Sequence, residues 1–97
     1  MTNEEYKLLL LSLGMTQREA TTEIHGLAPK SMTVYYWTSG LRPVPNKHAE
    51  KIKEYRRKVI AEAERRRKED LIDGCAVDIE NPFERAVNML LIDDLGI

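Results

Sequence analysis

The segment from Lys30 to Tyr35 carries side chains of the kinds that read base edges in a DNA groove. A lysine suits the acceptors of guanine, and a serine hydroxyl can pair with any base. A methionine or a threonine can pack against the methyl group of thymine, while a tyrosine can contact a base or the backbone. The residue types therefore predict base reading by Lys30, Ser31, Met32, Thr33 and Tyr35.

A second group of side chains is suited to phosphate. Gln17 and Arg18 begin a predicted helix, where free backbone N–H groups and the positive helix end favour an anion. Arg42 follows the helix predicted to enter the DNA groove and can reach another phosphate. Tyr36 is also predicted to contact a DNA phosphate. For Tyr35 and Tyr36 the alternative is a packing role with the hydroxyl in water.

Catalytic and metal-binding patterns are absent from the sequence. It has no Gly-rich phosphate loop, no Gly-x-Ser-x-Gly elbow and no His-Glu-x-x-His pair, so we expect neither an enzyme nor a cofactor. His25 and His48 have no carboxylate or cysteine at metal-ligand spacing, which predicts no metal site. The single cysteine, Cys75, is expected to be a small packing residue in a reducing compartment.

Helix caps and helix breakers divide the first part of the chain into short elements. Thr2 and Thr16 each open a capping box, with Glu three residues later. A third helix is predicted from Ala28-Pro29 to Gly40, because proline suits the first turn of a helix. Its buried side should be formed by Val34 and Trp37.

Longer elements are predicted after the extended stretch that precedes Asn46. That residue should cap a helix running to about Asp70, with a thin apolar stripe at Ile52, Tyr55 and Val59. Its charged end, Arg65–Lys68, is either a nucleic-acid patch or a solvated helix face. Cys75–Glu80 alternates as a short strand does, and Asn81-Pro82 is typical of a helix start.

Charge and apolar pattern separate the end of the chain from the rest. Residues 1–70 carry 14 Lys and Arg against 10 Asp and Glu, whereas residues 71–97 carry one against six. A basic front can meet a polyanion, and an acidic tail with an apolar stripe is better suited to a second subunit. The predicted dimerisation residues are Val77, Ile79, Phe83, Val87, Leu90, Leu91 and Leu95.

Length and hydropathy favour one domain in water. The chain has 97 residues, 42% of them hydrophobic, and a mean hydropathy of −0.46. No apolar run approaches the ~18–20 residues of a membrane span. The acidic first residues lack the pattern of a secretory signal, so a cytoplasmic protein that does not bind membranes is expected.

Two stretches of the chain carry a recognisable pattern, Thr16-Gln17-x-Glu19-Ala20 and Val34-Tyr35-Tyr36-Trp37-x-Ser39-Gly40-x-Arg42-x-x-Pro45. Together they resemble the repressor-type (XRE, lambda-repressor-like) helix-turn-helix. Within this region, the pattern Ser31-x-x-x-Tyr35-Tyr36-Trp37-x-Ser39-Gly40-x-x-x-Val44-Pro45 resembles a small group that includes the anti-CRISPR-associated repressors of phages. The segment between Ile24 and Val34 is longer than the usual turn of that family.

The resemblance covers residues 2 to 58 and implies a mainly all-α fold. Residues 1–58 would be a four-helix DNA-binding domain. Residues 59–97 lie beyond the resemblance, and their residue pattern predicts the end of the long helix and a dimerisation segment of a short strand and an amphipathic helix. The family implies a homodimer that binds palindromic double-stranded DNA and represses its own operon. Two alternatives stay open: an antitoxin that neutralises a partner protein through its C-terminal segment, and RNA binding through the basic face.

Overall fold

The computed structural model describes residues 1–68 and 81–94, and all regular secondary structure there is helical. The chain is thus mainly helical, as predicted. The five helices are α1 (Asn3–Ser12), α2 (Gln17–Glu23), α3 (Thr33–Thr38), α4 (Asn46–Lys68) and α5 (Pro82–Asp94). The predicted strand Cys75–Glu80, with Val77 and Ile79, lies outside the described residues, as does Leu95. None of these five helices is both long enough and apolar enough to cross a bilayer.

Helices α1, α2 and α5 begin where their caps predict. Thr2 accepts the Glu5 N–H at 3.1 Å in front of α1. At α2 the capping box is complete, because Glu19 N–H donates to the Thr16 hydroxyl at 3.1 Å and its carboxylate accepts the Thr16 N–H at 3.0 Å. Asn81 accepts an N–H of the first turn of α5 at 3.0 Å. Each cap satisfies N–H groups that a helix start leaves without a partner.

One hydrophobic core joins the described helices. Tyr6, Val34, Ile52, Val59 and Val87 are fully buried and come from α1, α3, α4 and α5. The apolar stripe predicted on α4 is confirmed at its two fully buried members. This helix runs without a break through residue 58, the predicted boundary between the DNA-binding and dimerisation parts.

Helix α5 packs against α4 of the same chain, so part of the apolar stripe that the sequence pattern assigned to a second subunit is covered within the chain. Val87 is fully buried and Leu91 is 5% exposed within the chain, so neither is free to meet a partner. The Tyr55 ring lies edge to face with the Phe83 ring, with 5.8 Å between the centroids. The Tyr55 ring thus widens the thin apolar stripe of α4 on which α5 packs. Phe83 and Leu90 remain half-buried.

The charged end of α4 also packs against α5, whereas the sequence pattern predicted a nucleic-acid patch or a solvated helix face at Arg65–Lys68. The Arg66 side chain is only 17% exposed. Its guanidinium bonds to Glu62 at 2.9 Å and to Glu84 of α5 at 2.7 Å. Since both partners are carboxylates, this arginine acts between helices, and a nucleic-acid patch at this end would be weaker by one cation.

We predict that Val87→Ala lowers the free energy of unfolding by about 1–3 kcal/mol, because it deletes buried methyl groups and leaves a cavity. Urea unfolding followed by circular dichroism measures the change. Leu8→Ala on α1 is the control, since its side chain is 56% exposed and should change stability by less than about 0.5 kcal/mol. Equal effects of the two substitutions would contradict the packing of α5 on the core.

Candidate nucleic-acid interface

Six of the nine predicted DNA-contacting residues surround one surface hollow beside α2 and α3. The hollow has a volume of about 500 Å³. Its lining consists of Gln17, Arg18, Thr21, Pro29, Lys30, Ser31, Met32 and Tyr35. Arg18 and Lys30 are exposed cations there, and the described lining holds no carboxylate. The fold therefore brings residues from two separate stretches together on one cationic, amphipathic surface.

Helix α3 begins at Thr33 rather than at Ala28-Pro29, which corrects the predicted start. The Ser31 N–H donates to the Ala28 carbonyl at 2.9 Å and closes a turn, and Met32, at φ −91° and ψ 4°, interrupts the helical backbone. The Ser31 hydroxyl accepts the Thr33 N–H at 3.3 Å, and the N-cap residue of the shorter helix is Met32, which has no side-chain capping bond. As a result, Lys30 and Ser31 lie on the turn before α3.

Exposure divides the predicted base-reading residues into two groups. Met32 and Tyr35 are 52% and 43% exposed, and Lys30 is exposed as well. Ser31 and Thr33 are half-buried, and their hydroxyl oxygens lie 2.8 Å apart in a mutual hydrogen bond. The first three side chains can approach a base without breaking an internal bond, whereas the two hydroxyls are already engaged.

Tyr36 and Arg42 lie at the opposite, C-terminal end of α3. The Arg42 guanidinium is 4.9 Å from the centroid of the Tyr36 ring, within the range of a cation–π contact. The Tyr36 carbonyl accepts the Leu41 N–H at 3.0 Å and the Arg42 N–H at 3.2 Å. The Asn3 side chain donates to the carbonyls of Trp37 and Arg42, at 2.8 and 2.6 Å. In the sequence, Asn3 is recognisable only as the residue after the Thr2 cap, so its bonds to the Trp37 and Arg42 carbonyls were not predicted.

Hydrogen bonds also tie α2 to its neighbours. Gln17 donates to the Thr38 hydroxyl at 2.8 Å, and that hydroxyl donates to the Tyr35 carbonyl at 3.1 Å. The start of α2 is thereby held against the end of α3. On the other side of α2, Glu19 pairs with Arg85 of α5. The two predicted groups, on α2 and around α3, are held in a fixed relation by these contacts.

The buried side of α3 lies on an aromatic cluster that includes two histidines. Trp37 is buried, as predicted, and its ring lies 5.0 Å from those of His25 and His48 and 5.5 Å from that of Tyr6. The Tyr6 hydroxyl is 2.8 Å from His25 Nε2, and the Nδ1 atoms of the two histidines are 3.1 Å apart. No local sequence signal connects residues separated by 23 positions, so this pair was not predicted.

The facing Nδ1 atoms require that one histidine donates and the other accepts. A second proton between them would place two N–H groups against each other, so the pair is stable only with a single shared proton. Burial, followed by the positive charges of His48 and Lys51, lowers the pKa of His25 to about 4. Burial, Lys51 and Lys47 also lower the pKa of His48. At neutral pH the cluster is an uncharged support for α3.

The described residues lack the ligand groups that metal sites need. Within residues 1–68 and 81–94, no three or more His, Cys, Asp or Glu side chains are grouped so that they could hold a metal ion.

Comparison of the chain with known protein families, with curated proteins and with solved structures found no match.

We predict that stability falls as the pH drops from about 6.5 towards 4, the ordinary and the folded pKa of His25. The folded pKa lies below the unfolded value, so the unfolded chain takes up more protons across that window. The loss from His25 should approach about 3 kcal/mol. Urea unfolding across this pH range measures it, and His25→Gln should flatten that part of the profile. An unchanged profile in His25→Gln would assign the titration to other groups.

Proposed function

We propose that this chain is a sequence-specific DNA-binding transcriptional repressor in which α2 and α3 form a helix-turn-helix. The observation that carries the proposal is the hollow between them, where Gln17 and Arg18 meet Lys30, Met32 and Tyr35. Phosphate contacts at the start of α2 would fix the position of the protein on the duplex. Exposed side chains around the start of α3 would then read base edges in the major groove.

We further propose that the protein binds a palindromic operator as a homodimer and represses its own operon. Helix α3 has six residues and is only ~9 Å long, so one copy can contact few base pairs. A two-fold axis would place a second α3 in the next turn of the major groove, ~34 Å away. Phe83 and Leu90, each half-buried, are the described members of the predicted dimer surface that keep exposed area.

An antitoxin would use the same half-buried side chains of α5 as a second subunit, Phe83 and Leu90, because Val87 and Leu91 are buried inside the chain. The alternative of RNA binding draws less support from the described residues. Double-stranded RNA presents a deep, narrow major groove that side chains do not read. The exposed cations Lys30 and Arg42 lie beyond the two ends of α3. This spacing suits the wider major groove of DNA, which is flanked by phosphates.

We predict steeply salt-dependent binding to a duplex selected from a randomised DNA library, weakening by orders of magnitude between about 50 and 200 mM salt. Arg42→Ala should weaken all duplexes about equally. Lys30→Ala or Met32→Ala should instead relax discrimination at one base position by about 1–3 kcal/mol. Fluorescence anisotropy measures both, with Lys58→Ala on the exposed surface of α4 as the control. Selection of no duplex, or enrichment of an RNA only, would overturn the proposal.

We predict that Leu90→Asp converts a dimer into a folded monomer, because it places a charge on the part of α5 that keeps exposed surface. Sedimentation equilibrium gives the mass, and circular dichroism checks folding. Leu11→Asp, at a side chain 62% exposed on α1, is the matched control and should stay dimeric. If Leu11→Asp alone dissociates the dimer, the interface lies on α1.

A further inference from the structure

The backbone of Arg42 is held on both sides. Its N–H donates to the Tyr36 carbonyl at 3.2 Å, inside α3, and its carbonyl accepts the Asn3 amide at 2.6 Å, from the first turn of α1. The guanidinium lies over the Tyr36 ring at 4.9 Å. An exposed arginine in a loop ordinarily samples many positions, and binding must offset the entropy lost when it is ordered. In this protein the backbone of Arg42 is already held in place before DNA binds.

One side chain closes both ends of the loop that carries this arginine. The two N–H groups of the Asn3 amide bond to Trp37, the last buried residue of α3, and to Arg42, at 2.8 and 2.6 Å. These carbonyls bracket residues 38–41, so the amide joins α3, the loop and α1 in one arrangement. A residue with a single donor could not serve both carbonyls in this way.

We infer that Asn3 is a positioning residue for DNA binding, because its amide fixes Arg42 relative to α3. The inference rests on the proposed function and states how one phosphate contact is linked to base reading. A phosphate bound at Arg42 sets the height and rotation of the protein on the duplex. With Arg42 tied to α3 through Tyr36 and Asn3, that contact also sets the register of the base-reading side chains.

Asn3 contributes little else that its removal would disturb. It is the first residue of α1, is half-buried and lies outside the hydrophobic core. Alanine is the best helix former, so Asn3→Ala should not weaken α1 itself. The cap of α1 is supplied by Thr2, which the substitution leaves in place. The expected effect is therefore larger on DNA binding than on folding.

The test is a double-mutant cycle with Asn3→Ala and Arg42→Ala in the full chain, measured on the duplex selected from a randomised library. Asn3→Ala should weaken binding by roughly tenfold, about the effect of one or two neutral hydrogen bonds. It should also reduce the salt slope nearly as much as Arg42→Ala does. In the Arg42→Ala background, Asn3→Ala should cost less than about twofold. Asn88→Ala, the same change on α5, is the control and should bind normally.

Other outcomes separate a positioning role from a structural one. Equal losses from Asn3→Ala with and without Arg42, at an unchanged salt slope, would overturn the inference while leaving DNA binding established. NMR order parameters for the amides of residues 39–42 give a readout without DNA, and they should fall in Asn3→Ala but not in Asn88→Ala. Unchanged order would also overturn the inference. Failure of the wild-type chain to bind any duplex would reject the proposed function, whatever the order parameters show.

Discussion

Helix α3 depends on its buried side, because a helix of six residues has almost no stability of its own in water. Val34 and Trp37 provide that side, and both are buried in the core. The indole lies against His25, His48 and Tyr6, which come from the turn after α2, the start of α4 and the middle of α1. The position of the proposed base-reading surface is therefore set by contacts on the opposite side of the helix.

Two buried tyrosine hydroxyls in this core differ in whether they form a hydrogen bond. The Tyr6 hydroxyl is bonded to His25, which is bonded in turn to His48. The Tyr55 hydroxyl is equally hidden but has no hydrogen-bond partner among the described residues. Burial, with Glu23 and Glu19 nearby, raises its pKa to about 12, so it stays neutral. A network of hydrogen bonds restricts geometry, so the Tyr6–His25–His48 network helps to orient α3. An unpaired buried hydroxyl costs free energy, so Tyr55 contributes to the core only through its ring.

The parts of the fold that could be predicted from sequence are those set by neighbours in the chain. Thr16 and Asn81 act on N–H groups within three residues, so their helices begin as predicted. The start of α3 was placed too early, because a bond between Ser31 and the Thr33 N–H, together with the backbone of Met32, prevails over the proline signal. Contacts between distant residues, such as those of the histidine pair and of Asn3, depend on the packing of whole helices. No local pattern encodes them.

Placement of charge, rather than the net charge of −1, decides what this surface can attract. Arg66 and Arg85 hold α5 to α4 and α2 through carboxylates, so their charge is largely neutralised inside the fold. Arg18, Lys30 and Arg42 form no ion pair with another described residue. These three lie around α2 and α3, and the described lining of the hollow that holds Arg18 and Lys30 has no carboxylate to cancel their field. A chain that is slightly acidic as a whole thus presents a cationic surface where the predicted base-reading side chains are exposed.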